Sequence, residues 1–483
     1  MDESSSLGGK GTSFTVIWSG VALASDGYNA QALGSVLPIL KKLYPEAWST
    51  TVKSRISTAY YVGVCLGAIL FGSLIDNTSR KAGVVSATLL MLLGVALCSG
   101  SSGTGSKDSL HWAQGMFWML SVGRGVLGIG AGGEYPVCSV NATEAGDEND
   151  RLRRRRGLLV GLAGCTSIDF GIVMGGVVPL IVLAAYGYRP STPADETVHL
   201  DKAWRIMLGL GGVIPLSVFY FRWKMSTTTA FERRKRDGTS LGWRGWWVVL
   251  NVYKWRILGT CLSWALYDAV AYPFGLFSTT IVDQLSDGKS GLISSIGWSA
   301  LINSFLLPGC LVGSYSMDYF GRRNTQAAGF ALSALVAFVL GGALDEIQSI
   351  FPLFVVLYGI LLALSEAGPG VATILTSAEC YPTLVRGHLL GLSAACGKAG
   401  AAIGTVAFSA IQDDLGGSTK GVFLVGGGFS LLGAIVTLLL IPEMSRDLGE
   451  EDERLNKLLI QAGVIQRTPS SYSFEDSQSE EKC

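Results

Sequence analysis

Read from its residues alone, the chain is an all-α membrane protein of twelve transmembrane helices, arranged as two pseudo-symmetric bundles of six. Three features lead there. Of 483 residues, 49% are hydrophobic and only 15% charged, with no formal net charge, and the mean hydropathy is +0.41. A soluble chain would carry about 25% charged residues to cover its surface. Apolar stretches of about 20 residues, enough to cross a hydrocarbon layer of about 30 Å, recur from end to end. Acidic residues and loop motifs of the first half also return in the second at fixed offsets.

The twelve stretches fall at 14–40, 57–75, 83–100, 113–141, 157–186, 203–221, 256–282, 291–315, 325–344, 350–378, 387–412 and 420–441. The first ten residues are polar, and the segment after them lacks the short apolar core and cleavage site of a signal peptide. Residues 1–13 therefore read as an N-terminal tail and 14–221 as the first six-helix bundle. A long connection, 222–255, precedes the second bundle, 256–441, and 442–483 is an acidic, serine-rich tail expected to be largely disordered. Lys and Arg are roughly twice as abundant in the even-numbered connections as in the odd ones, which puts those loops, the central connection and both termini in the cytosol. The basic runs Arg153 to Arg156 and Arg233 to Arg236 read as topology determinants facing anionic lipid.

Several classes of function are excluded. The charge balance gives no basic excess for nucleic acid. Three histidines, no metal-ligand spacing and no nucleophile motif leave no metal site and no enzyme chemistry to expect. No phosphate-binding loop for a nucleotide is present. Nine cysteines stand singly and read as packing residues.

The halves echo each other. Asp26 and Asp268 stand 242 positions apart, as do Asp76 and Asp318. Gly133 and Glu144 match Gly368 and Glu379 at a common offset of 235. After the second stretch come Asp76, Arg80 and Lys81; after the eighth come Asp318, Gly321, Arg322 and Arg323; after the tenth, Glu379-Cys380-Tyr381-Pro382-Thr383 leads to Arg386. These loop motifs resemble the signatures of the Major Facilitator Superfamily, and the likeness covers nearly the whole chain. It implies the Major Facilitator fold, a monomer, and a conformational gate in which Asp76, Arg80, Asp318, Arg322, Arg323, Glu379 and Arg386 pair across loops until the halves separate.

A narrower resemblance lies in Gly128-Ile129-Gly130-Ala131-Gly132-Gly133-Glu134-Tyr135-Pro136, which is similar to the glycine-rich stretch of the phosphate:proton symporter family. Glu134 stands where that family has Asp, as in the related fungal glycerophosphodiester permeases. Trp264, Asp268, Tyr272 and Lys398 match residues that surround bound phosphate in the family, and Asp26-Gly27-Tyr28-Asn29 resembles its first-span segment. Two departures are visible: Gly370 replaces an Asn that comes after Gly-Pro, and the family's fifth-span Gln is absent, with Asp169 nearby. The missing amide at Gly370 is expected to leave room for the alcohol half of an organophosphate. The resemblance implies a proton-coupled symporter of the plasma membrane importing a glycerophosphodiester or inorganic phosphate. A transporter-like nutrient receptor, or a carrier of sugars or carboxylates on the same fold, remains the alternative.

The residues themselves give chemical support. An ionised side chain at the bilayer centre costs about 2.5 to 3.5 kcal/mol, so Asp26, Glu134, Asp169, Asp268 and Lys398 inside apolar stretches are functional candidates. Each acid could equally serve as an interhelical hydrogen-bonding group. Trp264, Asp268 and Tyr272 recur every four residues and share one helical face. Lys398 offers an ammonium, and Tyr135, Trp264 and Tyr272 offer uncharged donors, for a phosphate-bearing substrate. Asp26, Glu134 and Asp268 are the expected proton carriers, since a carboxyl that binds substrate while neutral and repels it once ionised couples the two. The proton is then the coupling ion and no cofactor is required.

Overall fold

A computed structural model describes residues 4–77, 80–107, 109–147, 157–158, 161–188, 196–224, 241–285, 291–414, 418–443 and 449–464, and among them every regular element is helical. In chain order these are α1 (Ser4–Leu43), α2 (Thr50–Asn77), α3 (Arg80–Ser99), α4 (Leu110–Asp147), α5 (Thr166–Ala185), α6 (Glu196–Gly209), α7 (Val213–Lys224), α8 (Trp243–Leu285), α9 (Gly291–Ser304), α10 (Leu306–Phe320), α11 (Arg322–Gly342), the short α12 (Leu344–Ser349), α13 (Phe351–Ser365), α14 (Val371–Glu379), α15 (Thr383–Asp414), α16 (Lys420–Leu440) and α17 (Gly449–Gln461).

Nine helical stretches among the described residues are long and apolar enough to cross a membrane, from Thr50–Phe71 to Lys420–Leu440. The long helices α1, α4 and α8 pack among them. Leucines, valines and tryptophans on the outer faces, such as Leu70, Trp118, Leu216 and Leu439, stay exposed to an apolar surrounding. This is a multi-pass membrane protein.

Two π-helical turns interrupt the helices, Gly161–Cys165 ahead of α5 and Glu366–Gly370 between α13 and α14. In the second, Pro369 has no N–H to give the ladder, and the chain bulges there. Within the first half α2 and α3 lie against α4, and α1 against α5; within the second α8 lies against α15, and α11 against α16. Across the halves α2 meets α15, α5 meets α9 and α1 meets α8. Phe274, Tyr358, Phe408 and Phe423 knit the second half, with Phe274 and Phe423 stacked at 5.1 Å.

Three boundaries differ from the sequence expectation. α1 begins at Ser4, because no proline stops the helix from continuing into the polar tail. α8 begins at Trp243, inside the expected 222–255 connection, because Gly245, Val249 and Tyr253 form a buried stripe on it. The tail expected to be largely disordered contains α17, whose Leu455 and Leu459 are buried against Val249, Tyr253 and Tyr381. The basic runs at 153–156 and 233–236 and the tail beyond 464 lie outside the described residues.

Candidate functional site

A cavity lies where the halves meet, and α1, α2 and α5 from one half face α8, α9, α13 and α15 from the other. Four of the expected binding residues, Trp264, Asp268, Tyr272 and Lys398, line it. Asp268 and Lys398 are both buried, and the ammonium sits 3.0 Å from the Asp268 carboxylate. Lys398 also donates to the Tyr272 hydroxyl at 2.5 Å and lies 3.8 Å from that ring's centroid. Tyr61 from the first half touches the same ring edge-on at 5.3 Å. The shared face of α8 thus carries the donors, and α15 supplies the cation, because Gly400 and Gly404 let the two backbones approach closely.

The fifth expected binding residue, Tyr135, has its side chain outside the described residues. Asp26 and Glu134 are buried in the first half, yet neither lines the cavity. Asp26 accepts a hydrogen bond from the Tyr60 hydroxyl, and Tyr60 packs edge-on against Tyr61, so aromatic rings connect this acid to the cavity wall. Sequence reasoning missed Arg124. Its side chain is fully buried, donates to the Asn29 carbonyl at 2.5 Å and covers the Tyr60 ring at 4.4 Å. A basic residue alone in an apolar run was the available signal, hidden by the glycines at 123 and 125.

Glu366 was missed too. It lines the cavity with Asp169, from the opposite half, and accepts a hydrogen bond from Tyr267 at 2.6 Å. Gly370 explains its position. A Cβ there would collide with the Glu366 carboxylate, so the space expected to receive an ester group is filled by this side chain. Glu366, Asp169 and Cys310 place their ligand-type atoms within 4.8 Å of one another, all buried.

The gate residues divide. Asp318 accepts from the backbone N–H groups of Gly157 at 3.0 Å and Leu158 at 3.1 Å, joining α10 to the opposite half; a side chain at 157 would collide with that carboxylate. Arg322 makes a two-pronged contact with Glu379 at 2.9 and 3.1 Å, and comes within 3.9 Å of Asp318. Arg386 donates to the Tyr381 carbonyl at 3.2 Å, folding the loop after α14. Arg323 turns away to the Leu438 carbonyl of α16, outside that network. The side chains of Asp76 and Arg80 lie outside the described residues.

The model of the family described as "Sugar (and other) transporter" matches residues 15–238 and 227–454. Glycerophosphoinositol permease 1 of Candida albicans is 35% identical over 452 residues, covering 93% of this chain and 82% of that protein. Glycerophosphoinositol transporter 1 of Saccharomyces cerevisiae is 34% identical over 453 residues, covering 93% and 83%. Among solved structures, the major facilitator proton:xylose symporter bound to 6-bromo-6-deoxy-D-glucose superimposes with a TM-score of 0.70 at 16% identity, covering 91% of this chain and 98% of that one.

Proposed function

Because the chain belongs to the sugar (and other) transporter family, we propose that it is a proton-coupled symporter that imports a phosphate-bearing solute by alternating access, with a glycerophosphodiester preferred over inorganic phosphate. In this reading twelve helices cross the plasma membrane as two bundles of six, with both termini cytosolic. No chemistry is performed on the solute.

One observation carries the proposal: among the described residues, those lining the cavity include three carboxyls, Asp169, Asp268 and Glu366, against a single basic side chain, Lys398. With all of them ionised the site repels an anion, and in a poorly screened interior that repulsion is worth several kcal/mol at contact distances. A phosphate ester therefore enters together with protons. A proton on Asp268 breaks its ion pair and frees Lys398 for the phosphate, while Tyr272 and Trp264 offer uncharged donors. When the halves rock to expose the cavity inward, Asp268 loses the proton, reclaims Lys398 and expels the anion.

The relatives favour the diester. Both relatives named above carry glycerophosphoinositol in their names. The test is uptake of labelled glycerophosphoinositol by cells expressing the protein, in competition with glycerophosphocholine, inorganic phosphate and glucose. Diesters should compete strongly, phosphate weakly and glucose not at all. Glucose displacing the label, or transport of inorganic phosphate alone, would overturn the assignment.

A further inference from the structure

We propose that Asp169 and Glu366 form a proton-holding carboxyl pair that bridges the two halves of the carrier, separate from the Asp268–Lys398 ion pair. Asp169 belongs to α5, and Glu366 opens the π-helical turn before α14. Their carboxyl oxygens and the Cys310 sulfur lie within 4.8 Å of one another. Asp169 is 2% exposed and Glu366 5%. Asp169 Oδ2 has no hydrogen-bond partner among the described residues, although it is buried.

Every polar neighbour bears on the charge of this pair. Glu366 accepts from Tyr267, which leaves its second oxygen available. Cys310 shares a hydrogen bond with Thr166 at 3.2 Å, and Cys165 lies 3.9 Å from the Gly370 carbonyl. The basic side chain of the cavity, Lys398, is engaged by Asp268 and Tyr272. Two carboxylates this close in a low-dielectric site cannot both stay ionised, and one proton held by the pair removes the repulsion. A resident metal fits less well. Zinc sites are built mainly on histidine and cysteine and calcium sites on six or more oxygens, whereas this group offers two carboxyls, one thiol and no histidine.

The backbone is shaped to make the contact. Gly370 leaves the space that the Glu366 carboxyl occupies, and the π-helical turn on the other half, Gly161–Cys165, touches Cys310 through the Gly161 carbonyl at 3.8 Å. Separation of the halves pulls the two carboxyls apart. The proton is taken up from outside, held while the halves are together whether or not substrate is bound, and released to the cytosol as they part, so no other reactant is needed. This deepens the transport reading and rests on it for the direction of proton flow.

Infrared spectroscopy of the purified full-length protein, without substrate, tests the pair directly. The wild type should show a carbonyl band of a protonated carboxyl that shifts in heavy water. The isosteric double variant Asp169→Asn/Glu366→Gln should lose it, either single variant should at least shift it, and Asp268→Asn should keep it. In proteoliposomes the double variant should transport one proton fewer per solute than the wild type, read as the ratio of proton to substrate flux. A band that survives the double variant, or a divalent ion bound stoichiometrically by the wild type and released by Cys310→Ser, would overturn the proposal. Failure of diester transport in the wild type would sink the substrate reading and leave the infrared result to decide the pair.

Discussion

Lys398 and Asp268 make a poor stability device. A buried ion pair loses so much hydration that it contributes little net stability, and removing one partner strands the other charge. Its placement in a cavity between the two halves is better explained by exchange of partners during the proposed transport cycle. Lys398→Ala should therefore raise the apparent KM for a phosphate-bearing solute by about 10- to 150-fold, the value of a hydrogen bond to a charged group of about 1.5–3 kcal/mol. Asp268→Asn keeps the shape and loses one proton site, so uptake should respond more weakly to an imposed pH gradient than in the wild type. Substrate uptake measured with and without that gradient checks both; an unchanged KM in the first variant, or full proton drive in the second, would remove the residue from its role. These residues were legible because period-four spacing and a lone lysine in an apolar run are local signals. Glu366 was not, because its role depends on Gly370 and on Asp169 from the other half. Contacts across a repeat interface leave no trace in spacing.

At the level of elements, the apolar runs mark the helices well and their ends poorly. Hydropathy registers lipid contact, and it is blind to helix that continues past the membrane. α17 illustrates the loss: its surroundings in sequence are acidic and serine-rich, but Leu455 and Leu459 stand one turn apart and bury against α8 and the loop after α14. Glu451 then bonds Arg256 and Tyr253, each at 2.9 Å, and Asp452 accepts from the Thr383 backbone at 2.6 Å. Burial and, after it, the Glu451 carboxylate push the Tyr253 hydroxyl above its ordinary range. It stays a neutral donor through physiological pH, and this contact should weaken only in strong alkali. Leu455→Asp places a charge in that apolar contact and should undock the helix. Limited proteolysis would then cut the 449–464 segment faster than in the wild type, and equal cleavage rates would show that the docking is dispensable.

Over the whole molecule, Asp26 with Asp268 and Asp76 with Asp318 share one offset, as an internal repeat would give, and the chain superimposes on a proton:xylose symporter at the level of fold. The repeat does not make the halves equivalent. The first half buries Asp26, Arg124 and Glu134 away from the cavity, while the second contributes Asp268, Glu366 and Lys398 to its lining. In the proposed mechanism the second half therefore handles the substrate, and the first answers it through Asp169 and Tyr61. Contacts join the halves on Asp318 to the backbone of Gly157 and on Gln31 to the carbonyl of Gly275 at 3.0 Å. Alternating access requires one set to open while the other holds.

The central claim, that anion and proton enter together, is tested most directly by reconstituting the purified protein into vesicles loaded with a pH-sensitive dye and adding glycerophosphoinositol outside. The expected result is acidification of the lumen that begins with substrate addition and is smaller per solute transported in Asp268→Asn. Uptake of the diester with no change in lumenal pH would contradict it.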